Sequence, residues 1–489
     1  MSDSDSTRPV GTGRGLRWAS ALTCAAALVV GAGSVPAQTR GIDFTPGAQS
    51  IGDPYSEWFG NGGYRVSSYD LRLRYRPGSG RLSGVTVISA KATKDLSRFN
   101  LDFVLHARSV RVNGARARHR HVAGRELIVR PAAGVREGQR MRIVVSYTGI
   151  PEDVDVGGRS WWISPGRGAL AYGEPKVAAW WFPSNDHPSD KARFDISMTV
   201  PRGMEAISNG RLVERADHAR TTTWRWRPVE PMATYLAVMA IDQYDIERGV
   251  SSGGVPYLNA FAKGLPPRRD TRARASVGKT GEVVDWLAKK FGPYPFHQSG
   301  GIVPSAAAGF ALETQTRPVY PKINFSGHRN VSVVVHELAH QWYGDSVSVR
   351  WWRNIWLNEG FATYAQWLWS AHRGNESPAE IFLTRYRAHD ADDPFWRLHI
   401  GNPGKQHLFA GPVYYRGAMT LQALRNRIGG HDFFTVMRRW AVIHRYGNAT
   451  TTQFEALAER ISGKRLDGLF HAWLFSGEKP AATRASGVR

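Results

Sequence analysis

Two histidines and a glutamate are spaced so that two neighbouring helices would bring them together. The chain reads H-E-L-A-H from His336 to His340 and, after an eighteen-residue gap, continues with Glu359 in W-L-N-E-G. Residues four apart on one helix point the same way, so both imidazoles face a common side. Two imidazoles and a carboxylate can hold zinc and leave one position open for water. The spacing therefore predicts a zinc site with His336, His340 and Glu359 as ligands.

Glu337 directly follows the first proposed ligand. Its carboxylate is placed to take a proton from a zinc-bound water, which makes it the candidate general base of a hydrolase with one Zn²⁺ per chain. The alternative is an ordinary buried helix with two chance histidines. Because the chain has only 16 His in 489 residues, this pattern is uncommon by chance, and the correctly placed Glu359 makes it more so.

The N-terminus has the pattern of an export signal. Arginines precede the apolar stretch Ala19–Val30, and V-P-A ends in small residues at Ala37. We expect residues 1–37 to be removed and the enzyme to be secreted or extracytoplasmic, with an N-terminal membrane anchor as the alternative. No other run is long and apolar enough for a bilayer, so we expect no transmembrane span in the mature chain. The single cysteine, Cys24, falls inside this leader, which excludes cysteine-protease chemistry and disulfides.

The chain is strongly basic, with 64 Lys and Arg against 41 Asp and Glu and a formal net charge of +23. The charge is scattered and no nucleic-acid motif accompanies it, so we expect no nucleic-acid partner. Two interpretations stay open: a solvated basic surface, and weak contact with anionic cell-surface polymers.

The first half of the chain alternates apolar and polar residues as strands do. After a linker over residues 38–50, this pattern predicts a largely antiparallel β domain over residues 51–250, with one face in solvent. The alternating apolar residues are Tyr69, Leu71, Leu73 and Tyr75, then Met141, Ile143, Val145 and Tyr147, and then Phe194, Ile196, Met198 and Val200.

A break at S-S-G-G, beginning at Ser251, separates this region from one with helical periodicity. We expect a second domain over residues 257–480 and a polar tail over 481–489. Asn330 is the expected N-cap of the helix that carries His336, and Gly344 its expected stop. The other predicted helices lie at about Val277–Phe291, Glu359–Ser370, Arg416–Ile428, Asp432–His444, Thr452–Ile461 and Leu466–Phe475.

Together, H-E-L-A-H-Q-W-Y-G-D and W-L-N-E-G-F-A resemble the M1 family of zinc aminopeptidases, which includes aminopeptidase N and leukotriene A4 hydrolase. F-A-L-E-T around Glu313 is similar to the family's exopeptidase segment G-x-M-E-N. E-P at Glu174, followed by F-P-S-N-D-H-P and K-A, is similar to its β-domain signature. Y-Y-R-G from Tyr414 is similar to its Y-x-K-G motif. The resemblance implies an α+β multidomain fold, in which a β domain precedes a thermolysin-like, mainly helical zinc-peptidase domain, in a short form without the family's C-terminal helical domain.

The resemblance also implies roles for residues outside the zinc motif. Glu313 and Glu174 would hold the free α-ammonium of a peptide, because paired carboxylates fix a cation by charge-assisted hydrogen bonds. Tyr414 would donate a hydrogen bond to the oxyanion, with the adjacent Tyr415 as the competing choice. The backbone around Gly309 and Ala311 would line the substrate as an extended strand. Asp345 would orient a ligand histidine.

The chain departs from the family pattern at several of these motifs. In the exopeptidase segment Phe310 stands in place of glycine, Leu312 in place of Met and Thr314 in place of Asn. His187 stands where the family usually has Glu, and Asp345 where it usually has Asn.

The sequence thus predicts an exported zinc aminopeptidase that acts on peptides with a free N-terminus. One alternative is a zinc endopeptidase with an open cleft, since the expected short form would leave the site less enclosed. Another is a basic secreted binding protein on a peptidase scaffold, although none of the proposed ligands is lost.

Overall fold

The computed structural model describes residues 43–55, 58, 60–122, 124–156, 160–164, 166 and 168–489. The leader predicted over residues 1–37 lies outside these ranges. No helix within them is long and apolar enough to cross a membrane.

Strands dominate the first part of the described chain. They are β1 (Thr45–Pro46), β2 (Tyr64–Arg76), β3 (Arg81–Ala92), β4 (Leu96–Asp102), β5 (His106–Val112), β6 (Ala115–Val122), β7 (Glu126–Arg130), β8 (Arg140–Gly149), β9 (Trp162–Ile163), β10 (Ala169–Ala171), β11 (Arg193–Pro201), β12 (Glu205–Ile207), β13 (Arg211–Asp217), β14 (Thr221–Arg227), β15 (Met239–Asp242), β16 (Tyr244–Val250), β17 (Pro256–Ala262), β18 (Ser299–Val303), β19 (Ser348–Val349) and β20 (Asn448–Ala449).

Helices dominate the second part. They are α1 (Pro267–Val277), α2 (Thr280–Phe291), α3 (Val331–Ala339), α4 (Trp356–His372), α5 (Pro378–Ala388), α6 (Pro394–Arg397), α7 (Gly411–Ile428), α8 (Gly430–Ile443), α9 (Thr451–Ser462) and α10 (Asp467–Phe470). A fold in which a large N-terminal β-sheet domain precedes a helical domain confirms the predicted class.

The large sheet has the strand order β1-β4-β7-β6-β5-β8-β3-β2-β11-β14-β13. Most neighbours are antiparallel, and β1 with β4 and β2 with β11 are parallel. Its strands follow the alternation seen in the sequence: Leu71 and Leu73 of β2 are buried, whereas Arg72 and Arg74, which alternate with them, face solvent. One face of the sheet therefore builds the core and the other faces solvent.

The structure differs from the prediction at two domain boundaries. The large sheet begins at β1, inside the stretch expected to be a linker, because Thr45 and Pro46 pair with β4. The predicted polar tail is packed, since Val488 is buried and the indole of Trp473 donates to the carbonyl of Ser486 at 2.8 Å. The boundary expected between 250 and 257 falls in the turn that joins β16 to β17, which pair with each other in a second sheet.

Helix α3 begins at its predicted N-cap, since the side chain of Asn330 accepts a hydrogen bond from the backbone N–H of Val333 at 3.1 Å. The helix ends at Ala339, earlier than the stop expected at Gly344, so that His340 lies at its C-cap. A tight turn after His340 carries the chain toward α4.

Helices α4 and α7 approach each other closely at two glycines. A Cβ atom on Gly360 would lie 2.8 Å from the carbonyl carbon of Gly417, and one on Gly417 would lie 2.8 Å from the Cα of Gly360. Only glycine permits this contact. The glycines thereby set the spacing between α4, which carries Glu359, and α7, which carries Tyr414.

The arginine of the Y-Y-R-G motif fixes the other side of α7. Arg416 is fully buried and donates to the carbonyl oxygens of Trp396, Leu398, Ala472 and Ser476 at 2.6 to 3.1 Å. These acceptors belong to two segments, residues 396–398 at the end of α6 and residues 472–476, so one guanidinium ties α7 to both.

Candidate active site

The three predicted ligands converge between α3 and α4. The Nε2 atom of His336 lies 3.3 Å from Oε2 of Glu359, and Nε2 of His340 lies 3.6 Å from the same oxygen. One ligand atom from each of the three side chains can be chosen so that all lie within 4.8 Å of one another. Two imidazole nitrogens and one carboxylate oxygen directed at a common point are a donor set suited to zinc.

The remaining nitrogen of each imidazole has a partner that orients the ring. Nδ1 of His336 lies 3.1 Å from Oε1 of Gln366, and Nδ1 of His340 lies 3.0 Å from the carbonyl oxygen of Tyr343. Both partners accept hydrogen bonds, so they favour the tautomer in which Nε2 is free to bind a metal. The hypothesis that Asp345 orients a histidine is wrong, because its carboxylate has no hydrogen-bond partner among the described residues.

Sequence reasoning missed Gln366, although a signal for it was present. Gln366 follows Glu359 by seven residues on α4, which is two helical turns, and so both lie on the same helix face. The amide nitrogen of Gln366 also donates to the carbonyl and hydroxyl oxygens of Ser332 on α3, at 3.2 and 2.9 Å. Gln366 therefore links the two helices beside the ligand His336.

A cavity of about 590 Å³, which we call the catalytic cavity, opens at these ligands. Its lining is Trp161, Glu174, Phe310, Ala311, Leu312, Glu313, Asn324, Val333, His336, Glu337, His340, Glu359, Gln366, Phe409 and Tyr414. The catalytic cavity thus brings together the proposed ligands, Glu337, Tyr414, Glu313, Glu174 and Ala311, whereas Gly309 and Asp345 do not line it.

Glu337 lies in the catalytic cavity on α3, next to the first ligand. Its side chain is buried, and carboxylate oxygens of Glu313 and Glu337 lie close to a nitrogen of His340 in a second cluster of the same kind. Burial raises the pKa of Glu337 well above its ordinary value, and the charges of Glu313 and Glu359 add to this effect. The position of this carboxylate beside the ligand set is the one that a general base requires.

Two further glutamates from different parts of the chain meet in the catalytic cavity. Glu174 follows β10 in the β domain, and Glu313 precedes α3; both are buried. Glu313 receives a hydrogen bond at 3.3 Å from the hydroxyl of Tyr235, whereas Oε1 of Glu174 has no partner among the described residues. Burial raises the pKa of each of these two carboxyl groups. The pair offers two carboxylate acceptors for a cation within the cavity.

The carboxylates and imidazoles of the site influence one another strongly. Burial opposes protonation of His340, yet the charges of Glu313 and Glu359 raise its pKa well above the ordinary value. Burial likewise opposes ionisation of Glu359, yet the two histidines lower its pKa to about 2. The site concentrates negative charge in a buried place, which favours a bound cation.

The two adjacent tyrosines of α7 point to different surroundings. Tyr414 lines the catalytic cavity, and its ring lies 6.1 Å from that of His336. Tyr415 is 39% exposed, and the Cζ atom of Arg385 lies 3.8 Å from the centroid of its ring. Tyr414 is therefore the tyrosine that faces the ligands, as the motif register predicted.

The segment before Glu313 forms one wall of the catalytic cavity. Ala311 and the exposed Phe310 line it, and the carbonyl of Phe310 accepts a hydrogen bond from the hydroxyl of Tyr172 at 3.3 Å. The expected extended strand is reduced to a single bridge between Leu312 and Val319. Gly309 does not line the cavity, and a Cβ atom there would meet nothing within 4 Å.

The unusual histidine of the β-domain signature has a structural partner. Nε2 of His187 lies 3.0 Å from Oδ2 of Asp53, and that carboxylate also accepts the backbone N–H of Trp352 at 2.9 Å. This contact joins the β domain to the turn before α4, so His187 supports the site from a distance without lining it.

Comparison with known proteins matches both halves of the chain to one family. Residues 319–473 match the peptidase family M1 domain, and residues 66–236 match the peptidase M1 N-terminal domain.

Among curated relatives, the chain is 28% identical over 325 residues to glutamyl aminopeptidase of Bos taurus, covering 61% of this chain and 33% of that protein. It is 27% identical over 322 residues to probable aminopeptidase 2 of Sulfurisphaera tokodaii, covering 60% of this chain and 39% of that protein. The chain thus spans between a third and two fifths of the length of these relatives.

Among solved structures, an M1 zinc metallopeptidase mutant from Deinococcus radiodurans bound to a Tyr-Ser-Ala substrate superposes with a TM-score of 0.78. The two are 27% identical, and the match covers 89% of this chain and all of that one. A second structure, described as a two-domain M1 zinc metallopeptidase mutant bound to L-tryptophan, has a TM-score of 0.77 at 27% identity, covering 88% of this chain and all of that one.

Proposed function

This chain belongs to peptidase family M1, and on that basis we propose that it is a zinc-dependent aminopeptidase that removes residues from peptides with a free N-terminus. The observation that carries the proposal is the position of Glu174 and Glu313 in the catalytic cavity beside the zinc-type ligand set. The two glutamates would hold the ammonium group of the substrate, so that only the first peptide bond reaches the ligands.

His336, His340 and Glu359 would hold one zinc ion. The fit is supported by their converging atoms, by the acceptors on the outer nitrogens of both histidines and by the negative charge around them. When bound there, zinc supplies Lewis-acid polarisation of water and of the peptide carbonyl.

The remaining chemistry belongs to the chain's own side chains. Glu337 accepts a proton from the attacking water and returns it to the departing amine. Tyr414 donates its hydroxyl hydrogen to the oxyanion that develops on the scissile carbonyl. Glu174 and Glu313 fix the free amine, and Ala311 forms the wall beside the substrate backbone.

A direct test compares each of a panel of aminoacyl-p-nitroanilides with its N-acetylated form. We expect the free-amine substrates to be hydrolysed at least about 100-fold faster, since acetylation removes the charge that the two glutamates bind. Glu174→Gln and Glu313→Gln should each narrow this difference, whereas Glu376→Gln, at an exposed position between α4 and α5, should leave it unchanged. Equal rates on free and acetylated substrates would contradict the aminopeptidase proposal and favour an endopeptidase.

We further propose that the enzyme is exported after removal of residues 1–37. The supporting pattern is the basic and apolar N-terminus with its small-residue site at Ala37. Expression of the full chain in a bacterial host, followed by mass spectrometry of the exported protein, should find an N-terminus at Gln38. A protein that keeps Met1 and stays with the membrane fraction would support an anchor instead.

The basic sheet face supports weak contact with anionic cell-surface polymers. Arg98, Arg118, Arg120 and Arg130 line a cavity on the solvent face of the sheet, and Arg118 is paired directly with Arg130 across β6 and β7. None of these four forms an ion pair with another described residue, and like charges opposite each other favour an external anion.

Elution from immobilised heparin tests this contact. The double substitution Arg118→Gln with Arg130→Gln should lower the eluting salt concentration more than Arg438→Gln with Arg439→Gln on α8, which removes the same charge. Equal shifts would assign the retention to net charge alone.

A further inference from the structure

A second cavity of about 390 Å³ adjoins the catalytic cavity, and we call it the side cavity. The two share Trp161, Glu174 and Phe409 in their linings. Since Glu174 is one of the residues assigned to the substrate's ammonium group, the side cavity begins where the first residue of a peptide is held. The side chain of that first residue can therefore extend from Glu174 into the side cavity.

The lining of the side cavity is rich in cations. Arg125, Lys176 and Lys405 come from three separate segments, and Glu174 is the only carboxylate among the described lining residues. Burial lowers the pKa of Lys176 to about 8, and the charges of Arg125 and Lys405 act in the same direction. The three cations are thus within electrostatic reach of one another, although Asp186 and Asp102 act on Lys176 in the opposite sense.

Two of these cations, Arg125 and Lys405, form no ion pair with another residue in the described part of the chain. Arg125 lies within electrostatic reach of Glu126, and its Nε is buried without a hydrogen-bond acceptor. The guanidinium of Arg125 lies 5.7 Å from the ring centroid of Trp58, which supports its position on one wall. Gathered cations with open donors favour an anion of matching size between them.

We propose that the side cavity receives the acidic side chain of the first residue, so that the enzyme prefers peptides beginning with glutamate or aspartate. The ammonium group would bind Glu174 and Glu313, and the side-chain carboxylate would bind Arg125 and Lys405. This inference rests on the proposed aminopeptidase function and deepens it by assigning a substrate class.

The aromatic side chains of the side cavity do not by themselves favour an apolar first residue. Trp58, Trp161 and Phe409 could enclose an aromatic ring, but such a ring would displace water from the cations without supplying hydrogen-bond acceptors. A carboxylate supplies those acceptors, and its short methylene stem can pack against the same aromatic walls. The chemistry of the lining therefore favours an acidic first residue over an aromatic one.

Glutamate and its neutral isostere glutamine provide the sharpest test. We would compare kcat/KM of the zinc-loaded chain for L-α-glutamyl-, L-glutaminyl- and L-phenylalanyl-p-nitroanilide. We expect the glutamyl substrate to exceed the glutaminyl one by about tenfold or more, because the neutral amide leaves the cations unpaired. Lys405→Met and Arg125→Met should each lower the glutamyl-to-glutaminyl ratio several-fold, whereas Lys289→Met, at an exposed position on α2, should leave the ratio unchanged.

A binding measurement checks the same inference without turnover. Calorimetric titration should show tighter binding of free L-glutamate than of L-glutamine, and Lys405→Met should reduce this difference several-fold. Lys405 is exposed at the cavity rim, so this variant is expected to fold.

The outcomes separate the two levels of the proposal. If free amines are required but glutaminyl or phenylalanyl substrates match the glutamyl one, the acidic preference is refuted and the aminopeptidase function stands. An unchanged ratio in both cavity variants refutes the role of these cations. If none of the free-amine substrates is cleaved faster than its acetylated form, the aminopeptidase function itself fails, and the acidic preference fails with it.

Discussion

Replacing Gln366 by leucine should weaken zinc binding without touching a ligand. In the structure, Gln366 accepts a hydrogen bond from Nδ1–H of His336 at 3.1 Å and donates to two oxygens of Ser332. Leucine has a similar volume and can do neither. The ring of His336 would lose the acceptor that selects its tautomer and orientation, whereas His340 would keep the backbone carbonyl of Tyr343.

The size of the effect depends on how well water can replace the hydrogen bond between Gln366 and His336. Loss of such a partner typically reduces metal affinity between about tenfold and 100-fold. Gln366 is half-buried, so water can reach Nδ1 of His336 and restore part of that hydrogen bond. We therefore expect the lower end of this range, about tenfold or about 1.4 kcal/mol of binding free energy.

Competition with a chromophoric chelator would measure the zinc dissociation constant of Gln366→Leu and of the wild type. Gln243→Leu, at an exposed position between β15 and β16, is the matched control. Substitution of Ser332 by alanine should give a smaller loss, because Gln366 would remain able to accept from His336. A zinc affinity within twofold of the wild type in Gln366→Leu would refute the reasoning that this amide orients the ligand.

Three further predictions concern the site and the β domain. Glu337→Gln should retain one zinc per chain and lose activity on the order of 10²- to 10⁴-fold, because the amide cannot accept the proton; metal analysis together with kcat checks this. Tyr414→Phe should lower kcat on the order of 10²-fold with little change in KM, since its hydrogen bond forms to the developing oxyanion, whereas Tyr415→Phe should change neither. Burial raises the pKa of Glu126, which lies opposite the buried Asp102, to about 8. Because the folded state keeps a proton that the unfolded state releases above its ordinary pKa near 4.5, the free energy of unfolding should fall as pH rises from about 5 to 8. Urea unfolding at several pH values should show a weaker pH dependence of this free energy in Glu126→Gln than in the wild type.

Short-range patterns in the sequence were sufficient to predict the zinc ligands and the strands. The four-residue spacing of His336 and His340 is a property of any helix, and the period of two in β2 is a property of any strand with one buried face. These features depend only on local geometry. They could be predicted before the fold was known.

Features that depend on the approach of distant segments could not be predicted in the same way. The close approach of Gly360 to Gly417 explains the glycine of the Y-Y-R-G motif, but no local pattern pairs those two residues. The carbonyl acceptors of Arg416 likewise include Ser476, which lies 60 residues further along the chain. Tertiary packing, more than propensity, sets both.

The cations of the side cavity illustrate the same limit. In the sequence, Arg125 and Lys405 are two charges among 64 basic residues and carry no distinguishing pattern. Only the folding of the β domain against the helices places them around one cavity next to Glu174. The sequence shows only an excess of positive charge, whereas the structure places two of these charges where they can bind an anionic group of the substrate.

The products formed from a free-amine decapeptide test the central claim most directly. Mass spectrometry of the reaction of the zinc-loaded chain should show a ladder of peptides shortened one residue at a time from the N-terminus, and the N-acetylated decapeptide should stay intact. Internal fragments that carry the original N-terminus, or cleavage of the acetylated peptide at a comparable rate, would contradict the assignment of Glu174 and Glu313 to the free amine.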